Sequence, residues 1–161
     1  MTRVGIGYDV HKLDYGYKLI LGGLEILYEK GLVGHSDADV LTHAIIDALL
    51  GAAGCGDIGD HFPDTSDEYE GIDSQILLKR TLEIISEKFK FFEILNIDAT
   101  IIAQAPKLAN FKGEISNNLS TNIGISSNQI NIKATTEEHL GFTGEKLGIK
   151  ALAVCTIETS N

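Results

Sequence analysis

The sequence predicts an α+β domain in which a mixed β-sheet carries helices on one face. Two observations predict it. Segments that alternate around β-formers, at 3–13, 92–104, 129–136 and 149–159, are interleaved irregularly with segments of helical period at 37–53, 74–89 and 108–123. At 161 residues, with no internal repeat and no low-complexity linker, the chain suits one domain, 1–161, that buries a core without disulfide staples.

Taken in order, "RVGIGYDVHKL" at 3–13 reads as a strand, and "YKLILGGLEI" at 17–26 follows a glycine-containing break. An N-terminal antiparallel pair between these two runs is therefore expected. Asp9 and His11 stand two residues apart on the first strand, so their side chains leave the same face. "SDAD" at 36–39 has the form of a helix N-cap followed three residues later by a carboxylate, which predicts Ser36 as the cap and Asp39 as support for the first turn. On the helix over 37–53, Leu41, Ile45, Ala48 and Ala52 make one stripe, while Ser36, Asp39, His43 and Asp47 gather on another. The Asp- and Gly-rich stretch at 56–73 reads as a loop able to serve as a lid. A helix at 74–89, a strand at 92–104, a more polar helix at 108–123, a strand at 129–136 and a closing strand at 149–159 complete the chain.

The composition excludes some functions. A net charge of −10, from 13 basic and 23 acidic residues, does not suit a surface that grips nucleic acid through its phosphates. An anionic substrate would have to be met by metal ions, helix N-termini or a few placed cations. Cys55 and Cys155 have no metal-type spacing and read as reduced, small apolar residues, which fits a reducing compartment. No apolar run reaches the length of a membrane span, and the first ten residues read as a strand and not as a targeting peptide. A cytoplasmic protein is expected.

Two clusters carry chemistry. If the helix over 37–53 crosses the strand face bearing Asp9 and His11, then Asp9, His11 and His43 bring one carboxylate and two imidazoles together. That set suits zinc with an open fourth position, the mark of a catalytic site. Taken singly, each histidine is better explained as a strand-edge or core residue; the combination with a capped helix of matching polar face favours the metal. Backbone N–H groups near His35 and Ser36, at the helix start, would add an anion site. Asp47, one turn beyond His43, either orients its imidazole or is a plain surface carboxylate. The second cluster, "KATTEEHLGFTG" at 133–144, leaves a strand with two threonines and two glutamates, and by itself is only a strand end entering a turn.

"GYDVHKL", "GHSDADVLTHAIIDALLGAAGCGDIGDHFPDT", "IIAQAPKL" and "ATTEEHLGFTG" stand in the order and spacing of one family. Over nearly its whole length the chain resembles the 2-C-methyl-D-erythritol 2,4-cyclodiphosphate synthases of non-mevalonate isoprenoid biosynthesis. The resemblance implies a homotrimer with active sites between subunits, and conversion of a CDP-linked methylerythritol 2-phosphate into the cyclic diphosphate with release of CMP. It implies zinc on Asp9, His11 and His43, and magnesium or manganese on Glu138 at the diphosphate. His35 and Thr136 would stabilise the transition state, with Ser36 also at the phosphates. Asp57, Ile58 and Gly59 would meet sugar or polyol hydroxyls, and Phe62, Pro63, Asp64, Thr65 and Ser66 would cover the methylerythritol part. The neighbouring subunit would bring Ala103, Gln104, Ala105, Pro106, Lys107, Leu108, Ala109 and Thr135 to the cytidine and its diphosphate, with Glu137 and Phe142 beside Thr136 and Glu138.

The chain departs from the family pattern at three places. "SDEYEG" replaces the usual Asp-Pro after "FPDT", Asn110 replaces a proline after "APKL", and Glu145 stands where a basic residue is common, so no phosphate contact is carried over there. Two other readings of the clusters are a zinc phosphoesterase using metal-bound hydroxide and a non-enzymatic metal-binding trimer. No fourth Cys or His near the motifs supports the second; His61 and His139 are its weak candidates.

Overall fold

The computed structural model describes residues 1–160 and has the expected class: a mixed five-stranded sheet with helices on one face. Its strands are β1 (Thr2–Tyr15), β4 (Lys30–Val33), β5 (Phe91–Ile102), β6 (Ile130–Thr135) and β7 (Gly148–Ser160), in the spatial order β4-β1-β7-β5-β6. Only the β5–β6 pair is parallel. The helices are α1 (Val40–Ala53), the short α2 (Ile58–His61), α3 (Ser74–Lys88), α4 (Lys112–Ile123) and the short α5 (Gly141–Gly144).

The predicted N-terminal pair is corrected. The run at 17–26 does not pair with β1; it folds on itself as a hairpin of β2 (Leu19–Leu21) and β3 (Leu24–Ile26). The cause is the Gly22-Gly23 turn, with φ of 60° and 76°, which gives the two positive-φ residues a tight hairpin demands. β1 instead pairs antiparallel with β4 and with β7.

The predicted helix start is corrected too. α1 begins at Val40, and its N-cap is Asp39, whose carboxylate accepts from the Thr42 N–H. The same fully buried carboxylate accepts from the Gly22 N–H at 2.9 Å, the Gly23 N–H at 2.7 Å and the Thr42 hydroxyl at 2.7 Å. Four donors meet one carboxylate, so Asp39 ties the β2–β3 turn to the helix; Ser36, three residues earlier, cannot reach that position.

α1 is the centre of the core. Only Asp47 and Gly51 escape burial, and Leu41, Ile45, Ile46, Leu49 and Leu50 are all fully covered. Each such side chain contributes about 1.5–3 kcal/mol on burial. The helix lies directly on the β1 backbone: a Cβ on Gly5 would sit 2.0 Å from the Ala48 carbonyl oxygen, and one on Gly7 1.9 Å from that of Ala44. Glycines on the strand and alanines one turn apart on the helix thus let the two backbones meet closely. The alternation that turns Gly5 and Gly7 toward α1 turns Asp9 and His11 the same way, as expected. It leaves Val4, Ile6, Tyr8 and Val10 exposed on the opposite face, beside Leu152 and Val154 of β7.

Candidate active site

The triad forms as the spacing predicts. Asp9 and His11 come from β1 and His43 from the first turns of α1, and their ligand atoms lie within 4.8 Å of one another. Asp9 Oδ2 is 2.9 Å from His11 Nε2 and 3.0 Å from His43 Nδ1, and the two ring nitrogens are 3.2 Å apart. The remaining nitrogen of His11, Nδ1, is 2.9 Å from the Val33 carbonyl oxygen. A carbonyl only accepts, so Nδ1 carries the proton and Nε2 turns a lone pair into the cluster.

Gly34 makes room for that ring, since a Cβ there would lie 2.9 Å from His11 Cε1 and from the Ala38 methyl. The Asp9 carboxylate and the His11 Nε2 lone pair therefore face each other with no donor of their own between them, an arrangement that calls for a cation. Without a metal a proton takes that place. Burial works against charge on both groups, yet the hydrogen bonds and charges of His11 and His43 outweigh it and hold Asp9 at about 2. Burial likewise opposes protonation of His11, but the Asp9 hydrogen bond and charge raise it. The donor set and its orientation fit a zinc-type ion.

The cavity in front of the triad, about 590 Å³, is lined by Asp9, His11, His35, Ser36, His43, Ile58, Gly59, Phe62, Pro63, Asp64 and Thr65, and also by Gly34, Tyr69 and Leu77. The stretch over 56–73 is more structured than a plain loop. It contains α2, capped by Asp57, and a 3₁₀ turn over Asp67–Tyr69. Phe62 packs edge-on against Tyr69 with centroids 5.6 Å apart, and Arg80 pairs with Glu68 at 2.9 Å. His35 anchors the stretch twice: its carbonyl accepts from the Gly71 N–H at 2.8 Å, and its Nε2 donates to the Ser66 carbonyl at 2.7 Å. Nδ1 is then the His35 atom left for a ligand, and it donates only when the ring is an imidazolium.

Ser36 Oγ is approached by His43 Nε2 at 3.1 Å and accepts from the Ala38 N–H at 3.3 Å. The anion site expected at His35 and Ser36 lies on the turn before α1 and not on the helix's own first amides. The helix starts later, and the amides of Asp37, Ala38, Asp39 and Thr42 bond to the Ile72 carbonyl, Ser36, Asp37 and Asp39 respectively. Asp47 does not orient His43 either. It accepts from the Ile58 N–H at 3.3 Å, because helical side chains lean toward the N-terminus and His43 therefore reaches Ser36 and Ser74.

A second cavity, about 220 Å³, is lined by Ala103, Gln104, Pro106, Lys107, Leu108, Ala109, Thr135 and Thr136, together with Ala134 and Lys112. It shares no lining residue with the first. The sheet register explains the separation: Val10 pairs with Lys150, Lys150 with Ile102, and Ile102 with Thr135. The two sites sit at one end of the sheet but three strand spacings apart, roughly 14 Å. Within one chain the structure thus parts Thr136 and Glu138 from the triad. Asp57, Ala105, Ser66, Glu137, Glu138 and Phe142 line neither cavity.

Glu138 is exposed, and it and His139 hold left-handed backbone at φ of 52° and 63°. Glu137 braces them, accepting from Lys150 Nζ at 2.6 Å and from the Thr143 hydroxyl. Asp37, Ser74, Tyr69, Leu77 and Lys112 are site residues that sequence reasoning missed; only Gly34, flanking the histidine motif, had a local signal.

The YgbB family model matches residues 2–158. The 2-C-methyl-D-erythritol 2,4-cyclodiphosphate synthase of Clostridium novyi is 59% identical over 155 residues, 96% of this chain and 98% of that protein. That of Thiobacillus denitrificans is 55% identical over 97% of this chain and 96% of its own. The IspF–CDP complex of Plasmodium falciparum superposes with a TM-score of 0.84 at 37% identity, over 99% of this chain and 97% of that one. The bifunctional IspDF of Campylobacter jejuni gives 0.94 at 40% identity over all of this chain, which spans only 43% of that longer one. Matched across almost its full length by the family model and by relatives well above half identical, this chain belongs to the YgbB family, with the cyclodiphosphate synthases of isoprenoid biosynthesis.

Proposed function

We propose that the chain converts 4-diphosphocytidyl-2-C-methyl-D-erythritol 2-phosphate into 2-C-methyl-D-erythritol 2,4-cyclodiphosphate and CMP, as a phosphorus–oxygen lyase. The observation that carries this reading is the convergence of the partly buried Asp9 and His11 with the buried His43 beside a cavity large enough for a phosphorylated polyol. The named activity of relatives above 50% identity supports it.

The substrate's own 2-phosphate is the nucleophile and the β-phosphorus of the CDP group the electrophile; CMP leaves with the bonding pair. Both reacting groups are anionic, so positioning and charge neutralisation are the main tasks. Asp9, His11 and His43 would hold zinc and Glu138 magnesium or manganese, ions that supply Lewis-acid polarisation and charge neutralisation at the diphosphate. The chain's residues do the rest. Ser36, whose lone pairs face two N–H groups, keeps its hydroxyl proton for a phosphate oxygen. His35 would offer Nδ1–H, and Thr136 its hydroxyl, to charge developing in the transition state.

Asp57, Ile58 and Gly59 flank the polyol, and the stretch from Phe62 to Ser66 excludes water that would compete for the phosphorus. Ala103 to Ala109 and Thr135 form the nucleotide pocket, with Glu137 and Phe142 behind it. Holding both reacting ends of one molecule in attack geometry contributes at most about 7–11 kcal/mol.

The active unit is a homotrimer whose sites each combine the triad cavity of one subunit with the nucleotide pocket of the next. Val4 at 65%, Ile6 at 68% and Tyr8 at 51% exposure give a single chain an apolar sheet face that a second copy would cover. No helix is long and apolar enough to cross a membrane among the described residues, which accords with a cytoplasmic enzyme. The test is to mix protein, Zn²⁺, Mg²⁺ and substrate and follow products by ³¹P NMR. Coupled cyclic-diphosphate resonances with CMP are expected; a linear diphosphate would instead mean hydrolysis.

A further inference from the structure

Behind the triad, the ring of His43 continues into a chain of side chains that ends on Asp37. We propose that Asp37 and Ser74 are positioning residues that hold His43 in its Nε2–H tautomer and so aim the Nδ1 lone pair at the cation. This rests on the metal reading above.

Ser74 opens α3 and is fully buried. Its hydroxyl has one proton, and that proton is committed: Ser74 Oγ donates to Asp37 Oδ1 in a very close contact, and a carboxylate only accepts. The 2.8 Å approach of Ser74 Oγ to His43 Nε2 must then be a bond in which the ring donates. Ser36 Oγ, at 3.1 Å, is a second acceptor for the same proton. With Nε2 protonated, the neutral ring carries its lone pair on Nδ1, the atom 3.0 Å from Asp9 Oδ2 and 3.2 Å from His11 Nε2.

The other Asp37 oxygen accepts from the Ser74 N–H at 2.9 Å, which fixes the plane of the carboxylate. His11 has its tautomer set by a main-chain carbonyl that no substitution removes. His43 has its tautomer set by two side chains 37 positions apart, so its orientation can be switched.

Asp37→Asn is the decisive variant. With its amide oxygen kept on the Ser74 N–H, its NH₂ group stands in place of Oδ1, gives up the bond that Oδ1 accepts from the Asp39 N–H, and donates to Ser74 Oγ, which frees the serine proton for His43 Nε2 and drives the ring's own proton to Nδ1. Long-range ¹H–¹⁵N correlation on metal-free protein at alkaline pH reads the tautomer directly, and competition with a chromophoric chelator reads zinc affinity. Wild type is expected to show Nε2–H at His43. Asp37→Asn should shift the ring toward Nδ1–H and weaken zinc about 10- to 100-fold, the range for lost outer-shell partners.

Ser74→Ala keeps the loop's main-chain anchor as far as Asp37 allows and should cost about tenfold. It decides the matter if Asp37→Asn fails to fold, with an unchanged His11 signal as the control for fold. An Nδ1–H ring in wild type, or folded variants that bind zinc within about twofold of it, would overturn the proposal. Wild type that binds no zinc, yet shows the tautomer and its shift, would sink the metal reading and leave the positioning role standing.

Discussion

The two halves of the candidate site are held by different means. The triad is built from inside the fold: Asp9 and His11 ride on the strand that α1 presses against, His43 is 8% exposed, and the outer ring nitrogens have set partners. The turn at 136–144 is built on the surface. Its two successive left-handed residues, Glu138 and His139, carry strain of about 1–3 kcal/mol each. Glu137 offsets that strain by gripping Lys150 and Thr143, Gln104 by accepting from the His139 N–H at 3.0 Å, and Gly144 by letting the turn close against the His139 backbone. The lesson is that damage to the first half should spread into global stability, whereas the second half can lose function while the fold stays intact.

The largest effect should come from His43→Ala. Losing a ligand of the triad is expected to lower turnover by about three orders of magnitude, the several kcal/mol that a Lewis acid supplies, with loss of bound zinc measured by elemental analysis. Next comes a test of whether the halves belong to different subunits. Inactive His43→Ala chains mixed in equal amount and reassembled with inactive Glu138→Gln chains should regain about a quarter of wild-type activity, since each site of a random trimer joins two intact halves about one time in four. No recovery after subunit exchange, verified by native mass spectrometry, would mean that one chain builds the whole site.

Gly7→Ala probes the coupling of triad and core. A methyl 1.9 Å from the Ala44 carbonyl must push α1 off β1, so denaturant titration should show a loss of about 3 kcal/mol or more together with weaker zinc binding. Lys150→Met is the surface counterpart. Global stability should change by no more than about 0.5 kcal/mol while amide exchange at 138–141 accelerates. The pH dependence of this brace has a definite sign. The Lys150 hydrogen bond, and then that of Thr143, hold the Glu137 carboxyl below its ordinary 4.5, so the brace is complete above that pH and is lost as pH falls through the lowered value. Slower exchange on acidification, after correction for intrinsic rates, would contradict it.

The smallest signal is chemical. Burial pushes the Cys155 thiol up to about 12, and its Sγ lies 3.1 Å from the Ala48 carbonyl oxygen under α1. Half-buried Cys55 should alkylate at neutral pH and Cys155 only on unfolding.

Much of the triad half was legible in the sequence because it depends on local periodicity. A two-residue repeat turns Asp9 and His11 the same way, and helical period puts His43 on the face that meets them. Where a local rule had a local competitor the sequence misled. "SDAD" pointed to Ser36 as the cap, and the buried Asp39 holds that place because Gly22 and Gly23 bring it two more donors. The run at 17–26 was strand-like, but its Gly-Gly turn favoured pairing within the run over pairing with β1. For the second half the residues were recognisable only through the resemblance, since two threonines and two glutamates at a strand end have no periodic signature.

The sequence by itself determined the class of fold, the acidity that leaves an anionic substrate to metals and a few cations, and the three residue types of the triad with their common direction. Tertiary structure alone decided the strand order that parts the triad from Thr136 and Glu138, and the meeting of Asp37, Ser74 and His43 that assigns a proton to one ring nitrogen. The physical reason is one of range. Backbone geometry fixes where a side chain points relative to its neighbours a few residues away, whereas which distant segment it meets depends on sheet order and helix packing, to which every residue of the core contributes.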